Sequence, residues 1–203
     1  MKLTKISKNI LRAVSFFQDL HKEQKRKDNV RPYFVHLDDV ASRVSKVTDE
    51  EDIIIAALGH DSVEDVPGFT IETVRQEFGP RVANIVLELT DTYTKQAFPS
   101  LNRKARKQKE RERYAFMSPE AKLIKLADIA SNLEDDGEVL EGDGKPEVGF
   151  NRMFIKEKAL CLPYLVMQSG ESASPFYRAN AALYVAAVDI LKKQAKKFDV
   201  KLG

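Results

Sequence analysis

The sequence predicts an all-α fold: a helical bundle forming a single compact domain over residues 1–203. Two observations predict it. Apolar residues recur at helical spacing in one segment after another, while no stretch alternates as a strand does. The punctuation is also that of helices, with polar starters before apolar runs and Gly or Pro after them.

The elements follow in order. Ile10, Leu11, Val14, Phe17 and Leu20 mark an amphipathic helix over 8–24. A basic stretch, His21 to Asn29, leads to Pro32, which sets a boundary. Tyr33, Val35, Leu37, Val40 and Val44 mark a second helix over 33–46. Thr48-Asp49-Glu50-Glu51 reads as a cap with acids in the first turn, opening a long helix through His60 and Asp61. Pro67-Gly68 breaks the chain, Thr70 caps a helix to about Phe78, and Gly79-Pro80 separates it from one over 80–90. Residues 91–118 read as a loop and then a charged helix containing the basic run Arg103 to Arg113. Pro119 starts a helix that is apolar on most sides, hence central, with Asp128 and Asn132 inside it. Residues 135–150, acidic and Gly-rich, read as a mobile loop before two last helices, roughly 151–168 and 174–197. The core is expected over about 8–135, with helices from about 151–197 packing on it.

Composition narrows the function. The net charge of +2 is too small to imply nucleic-acid binding, and the 103–113 run lacks interleaved aromatics, so it reads as a solvated face or a lure for anions. No run of about eighteen apolar residues offers a membrane span. The single Cys161 excludes an internal disulfide, fits a reducing cytoplasm and sits on an apolar helix as a core residue. His21 reads as a structural histidine at a helix end.

The stretch Ala56 to Asp65 carries the chemistry. A His60-Asp61 pair closes an apolar run, and Glu64-Asp65 follows one helical turn later. An imidazole and three carboxylates against a core are costly to desolvate, and a divalent cation is the usual compensation. Taken together, His36, His60, Asp61 and Asp128 would supply two imidazoles and two carboxylates. That mixed donor set suits Mn²⁺, Fe²⁺ or Zn²⁺ better than Ca²⁺.

The order His36…His60-Asp61…Asp128 resembles the HD-domain phosphohydrolase superfamily. The fuller pattern is similar to the hydrolase domain of the RelA/SpoT alarmone enzymes, especially their small stand-alone hydrolases. Arg26-Lys27, Pro32-Tyr33-Phe34-Val35-His36, Leu58-Gly59-His60-Asp61-Ser62-Val63-Glu64-Asp65, Phe78-Gly79 with Val82, and Lys125-Leu126-Ala127-Asp128 with Asn132 carry the likeness, from about Phe17 to Asp135. The resemblance implies that His36, His60, Asp61 and Asp128 bind one Mn²⁺ or another divalent transition ion, and that Glu64 and Asp65 position and activate water. It implies that Arg26 stacks on guanine and that Lys27 and Asn132 bind the nucleotide. The implied reaction is hydrolysis of (p)ppGpp to GDP or GTP plus pyrophosphate, in the cytoplasm, as part of a stringent response. With no synthetase segment visible, the chain is expected to be hydrolase-only. Alternatives are an HD enzyme acting on NADPH or an adenosine nucleotide, and a non-catalytic nucleotide-binding module. The chain departs from the family at Ile129, where Arg or Lys is usual, and matches weakly beyond Asp135.

Overall fold

Helix α1 (Lys8–Leu20) starts where the Ser7 hydroxyl accepts from the Ile10 amide, and buries Ile10, Ala13 and Phe17. The computed structural model describes residues 7–135 and 148–202. Beyond α1 the chain turns through an antiparallel bridge between Lys25 and Pro32. Asp28 holds that turn by accepting from the amides of Val30 and Arg31. Helix α2 (Phe34–Val44) follows.

Helix α3 (Glu51–Leu58) is apolar all round from Ile53 to Leu58 and buries every one of those residues. Full burial of each large side chain there is worth about 1.5–3 kcal/mol. The expected continuous helix through Asp61 is not formed. The helix stops at Gly59, and His60 and Asp61 lie in a turn before the short α4 (Ser62–Asp65). Packing explains the glycine: a Cβ at Gly59 would lie 2.5 Å from the Phe17 ring. The Thr48 hydroxyl accepts from the Glu50 amide, and the cap residue is Glu50, two positions later than Thr48.

Helix α5 (Ile71–Phe78) is capped by Thr70 through the Thr73 amide. Gly79 takes φ +89°, a conformation that favours glycine, and lets α6 (Pro80–Leu89) start at once with Pro at its first position. Phe78 stacks on Phe17 at 5.1 Å, tying this hairpin to α1.

Helix α7 (Arg103–Tyr114) is the charged helix, capped by Asn102. It is not simply solvated, because Glu110 and Arg111 are buried. Glu110 accepts from the amides of Thr92 and Tyr93, and Arg113 donates to the carbonyls of Glu88 and Thr90. Helix α8 (Pro119–Asp135) is central as expected: α2, α3, α6, α9 (Val148–Leu165) and α10 (Tyr177–Lys197) all pack on it. Among the described residues there is no strand, and no helix is long and apolar enough to cross a membrane. The loop expected over 135–150 falls mostly outside the described residues.

Candidate active site

The N-terminal part of α2, the turn after α3 and the middle of α8 meet at one buried point. His36 comes from α2, His60 and Asp61 from the turn, and Asp128 from α8. The Nε2 atoms of His36 and His60 face it. The Asp61 Oδ2 lies 3.6 Å and 3.1 Å from them, and the Asp128 Oδ1 3.4 Å and 3.8 Å.

Both imidazoles are oriented from behind. His60 Nδ1 donates to the Ala57 carbonyl at 2.8 Å, which turns Nε2 toward that point. His36 Nδ1 is fixed by the Ser131 hydroxyl at 3.0 Å. Both Nε2 atoms are buried without a hydrogen-bond partner. Buried polar nitrogens are rarely left so. Two of them aimed at one point with Asp128 form a group that could hold a divalent ion, and the Asp61 carboxylate stands beside it.

The electrostatics agree. Burial is the largest influence on His60 and disfavours its charged form, yet the negative charges of Asp61 and Asp128 raise its pKa to about 10. Against the same burial, His60 holds the Asp61 carboxyl well below the usual carboxylate range, and Lys125, 3.1 Å from Asp128, does so for Asp128. The cluster therefore draws positive charge to the point between the imidazoles.

Around this point stand the other acids. Glu64 accepts the Asp91 amide at 2.6 Å. Burial first, and then the nearby charge of Asp91, push its carboxyl up to about 7. Asp65 is exposed and accepts from the Gln24 amide at 3.0 Å. Tyr33 donates to Asp61 at 2.6 Å; its place in the Pro-Tyr-x-x-His block signalled a role without saying which. Ser131, three residues beyond Asp128 on α8, and the Asp91 amide carried no signal in the sequence.

Of the expected nucleotide contacts, Asn132 lies nearest the point, its amide donating to Asp128 Oδ1 at 2.5 Å. Arg26 is buried over the Tyr33 ring and pairs with Asp135 at 2.7 Å and Asn132 at 3.1 Å. Lys27 lies on the rings of Phe150 and Phe154 at 4.7 Å and 5.0 Å. These rings belong to a cavity of about 270 Å³ between α7 and α9 that Arg103, Lys107, Arg111 and Lys158 also line. Cys161 is half-buried at its edge, packed against the core rather than within it. A second cavity, of about 230 Å³, shares Arg103 and Lys107 and reaches Glu64. The basic run thus faces inward on one side.

A helical bundle with two histidines and two aspartates converging in this order has the arrangement of the HD class. The HD-domain family model matches residues 13–140. The chain is 41% identical over 130 residues to guanosine-3′,5′-bis(diphosphate) 3′-pyrophosphohydrolase MESH1 of Xenopus tropicalis, covering 62% of this chain and 68% of that protein. The human MESH1 is 40% identical over 129 residues, with the same coverage. A solved structure described as a metazoan ortholog of SpoT that hydrolyses ppGpp superposes with a TM-score of 0.73 at 28% identity, over 94% of this chain and 97% of that one. The chain belongs to the HD-domain family and, within it, to the MESH1/SpoT-type branch.

Proposed function

We propose that this protein is a metal-dependent (p)ppGpp 3′-pyrophosphohydrolase, acting in the cytoplasm as one hydrolase domain. The observation that supports it most is the pair of convergent, unpartnered imidazole nitrogens beside Asp61 and Asp128, next to an acid that opens onto a cation-lined cavity. The likeness to MESH1 proteins supports the choice of substrate.

His36, His60, Asp61 and Asp128 would hold one ion, which we take to be Mn²⁺. When bound, such an ion supplies Lewis-acid polarisation of a phosphate oxygen and lowers the pKa of a coordinated water. Glu64, ionised, accepts a proton from the attacking water, and Asp65 orients that water. The new bond forms from the water oxygen to the first phosphorus of the 3′-diphosphate. The bond from that phosphorus to the ribose 3′-oxygen breaks, and the 3′-oxygen leaves with the electron pair and takes up a proton. Lys95, Arg103, Arg106 and Lys107 counter the phosphate charges. Lys27 and the Phe150 and Phe154 rings suit the remaining nucleotide, with Asn132 between it and the metal ligands.

The test is turnover of ppGpp, pppGpp, NADPH and adenosine nucleotides by the purified, Mn²⁺-loaded protein. Guanosine 3′-diphosphates should give pyrophosphate with the highest kcat/KM. A higher value for NADPH would reassign the substrate, and no turnover of any would leave a binding module.

Arg26 is proposed to stack on guanine, and its buried pairing adds a second expected effect. Arg26→Ala should raise KM more than it lowers kcat, because stacking acts on ground and transition states alike. It should also cost about 3 kcal/mol of stability by breaking the Asp135 pair. Lost stability with an unchanged KM would make Arg26 a structural residue only.

A further inference from the structure

His21 is a buried histidine that the reaction does not use, and it lies in a directed chain of polar groups ending on Asp65. Its Nδ1 lies 2.6 Å from Gln24 Oε1, and its Nε2 lies 3.1 Å from the hydroxyl of the buried Ser62. Gln24 Nε2 lies 3.0 Å from Asp65 Oδ2. The chemistry fixes the direction. A carboxylate only accepts, so Gln24 turns its NH₂ to Asp65 and its oxygen to His21. That oxygen also only accepts, so Nδ1 carries a ring hydrogen, and Nε2 is left to pair with the Ser62 hydroxyl. The His21 ring also stacks on Tyr33 at 5.4 Å, and Tyr33 in turn holds Asp61.

We propose that His21 and Gln24 are positioning residues: with Ser62 they form a relay that sets the carboxylate of Asp65 for the attacking water. This rests on the assignment of Asp65 to water handling made above. Asp65 is exposed, and a carboxylate on an exposed short helix has several rotamers; one donor with a fixed orientation selects among them. Gln24 is itself free to flip its amide, and the buried His21 removes that freedom. The helix-end histidine is therefore more than packing.

The experiment is a double-mutant cycle in the full chain, loaded with Mn²⁺ and assayed with ppGpp. Gln24→Met keeps the length of the side chain and removes both hydrogen bonds. It should lower kcat by about 10–100-fold, the range for losing an outer partner of a site residue. KM and metal content should stay unchanged. In an Asp65→Ala background the same substitution should have no further effect, because its only route to the reaction is gone. Equal factors in both backgrounds would overturn the relay. If Asp65→Ala alone leaves kcat unchanged, the water-handling assignment falls, and the relay with it.

Two substitutions of His21 separate positioning from packing. Asn places its amide nitrogen where Nδ1 was, whereas Gln places its own where Nε2 was. Both lose the ring and its stacking on Tyr33. His21→Asn should therefore retain more of kcat than His21→Gln by about tenfold at matched metal content. Equal losses in the two would mean that the ring matters only as filling, and would overturn the proposal.

Discussion

His60→Ala will lose its divalent ion and, with it, essentially all turnover. The imidazole is buried, its Nδ1 is committed to the Ala57 carbonyl, and its Nε2 has no hydrogen-bond partner. The substitution removes one of four converging donors and leaves Asp61 and Asp128 facing each other with one imidazole fewer. Elemental analysis after dialysis is the measurement, with near-complete loss expected. Ser131→Ala provides the scale. It removes only the group behind His36, so affinity should fall by about 10–100-fold while metal is still taken up at high Mn²⁺. Full occupancy in His60→Ala would overturn the ligand assignment.

Glu64→Gln should behave in the opposite way, keeping the ion and losing the rate. The substitution preserves shape and can still accept the Asp91 amide, but it no longer takes a proton. With metal content and KM near wild type, kcat should fall by about 10²–10⁴-fold. The pH profile adds an independent reading. Burial holds the Glu64 carboxyl up at about 7, and only the ionised form accepts a proton. Activity should therefore decline as the pH falls through about 7, or through a lower value once a cation is bound nearby. The stability effect has the reverse sign. An acid whose pKa is higher folded than unfolded favours folding when protonated, and that contribution is lost as the pH rises through its folded value. Glu64→Gln should then be at least as heat-stable as wild type at pH 8. Lost metal in Glu64→Gln would make Glu64 a ligand, and near-normal turnover would move proton transfer elsewhere.

Much of this was legible from periodicity and punctuation. The Thr70 cap, the Gly79-Pro80 junction and the central α8 are local signals, and local signals survive folding. The break at Gly59 was not legible, because its cause is the Phe17 ring, which lies far away in sequence. Nor was the inward face of α7. Charge runs read as solvated, yet Glu110 and Arg113 are used up on backbone groups at the end of α6 and in the loop after it. The Arg26 pairing with Asp135 joins sequence-distant residues and leaves no trace in either segment. Ile129, the departure from the family pattern, has a structural reason: it is fully buried in the bundle, where a cation would need a partner.

The way His36 leans on Ser131 also bears on how the chain assembles. The two are 95 residues apart, and Asp128 lies on the same late helix. The donor set does not exist until that long loop closes, a slow, entropically opposed event typical of high contact order. An ion therefore has no nucleus to bind early in folding. It acts afterwards by mass action, drawing down a native state whose buried like charges would otherwise repel. Holoprotein and apoprotein should thus differ mainly in how fast they unfold, not in how fast they fold.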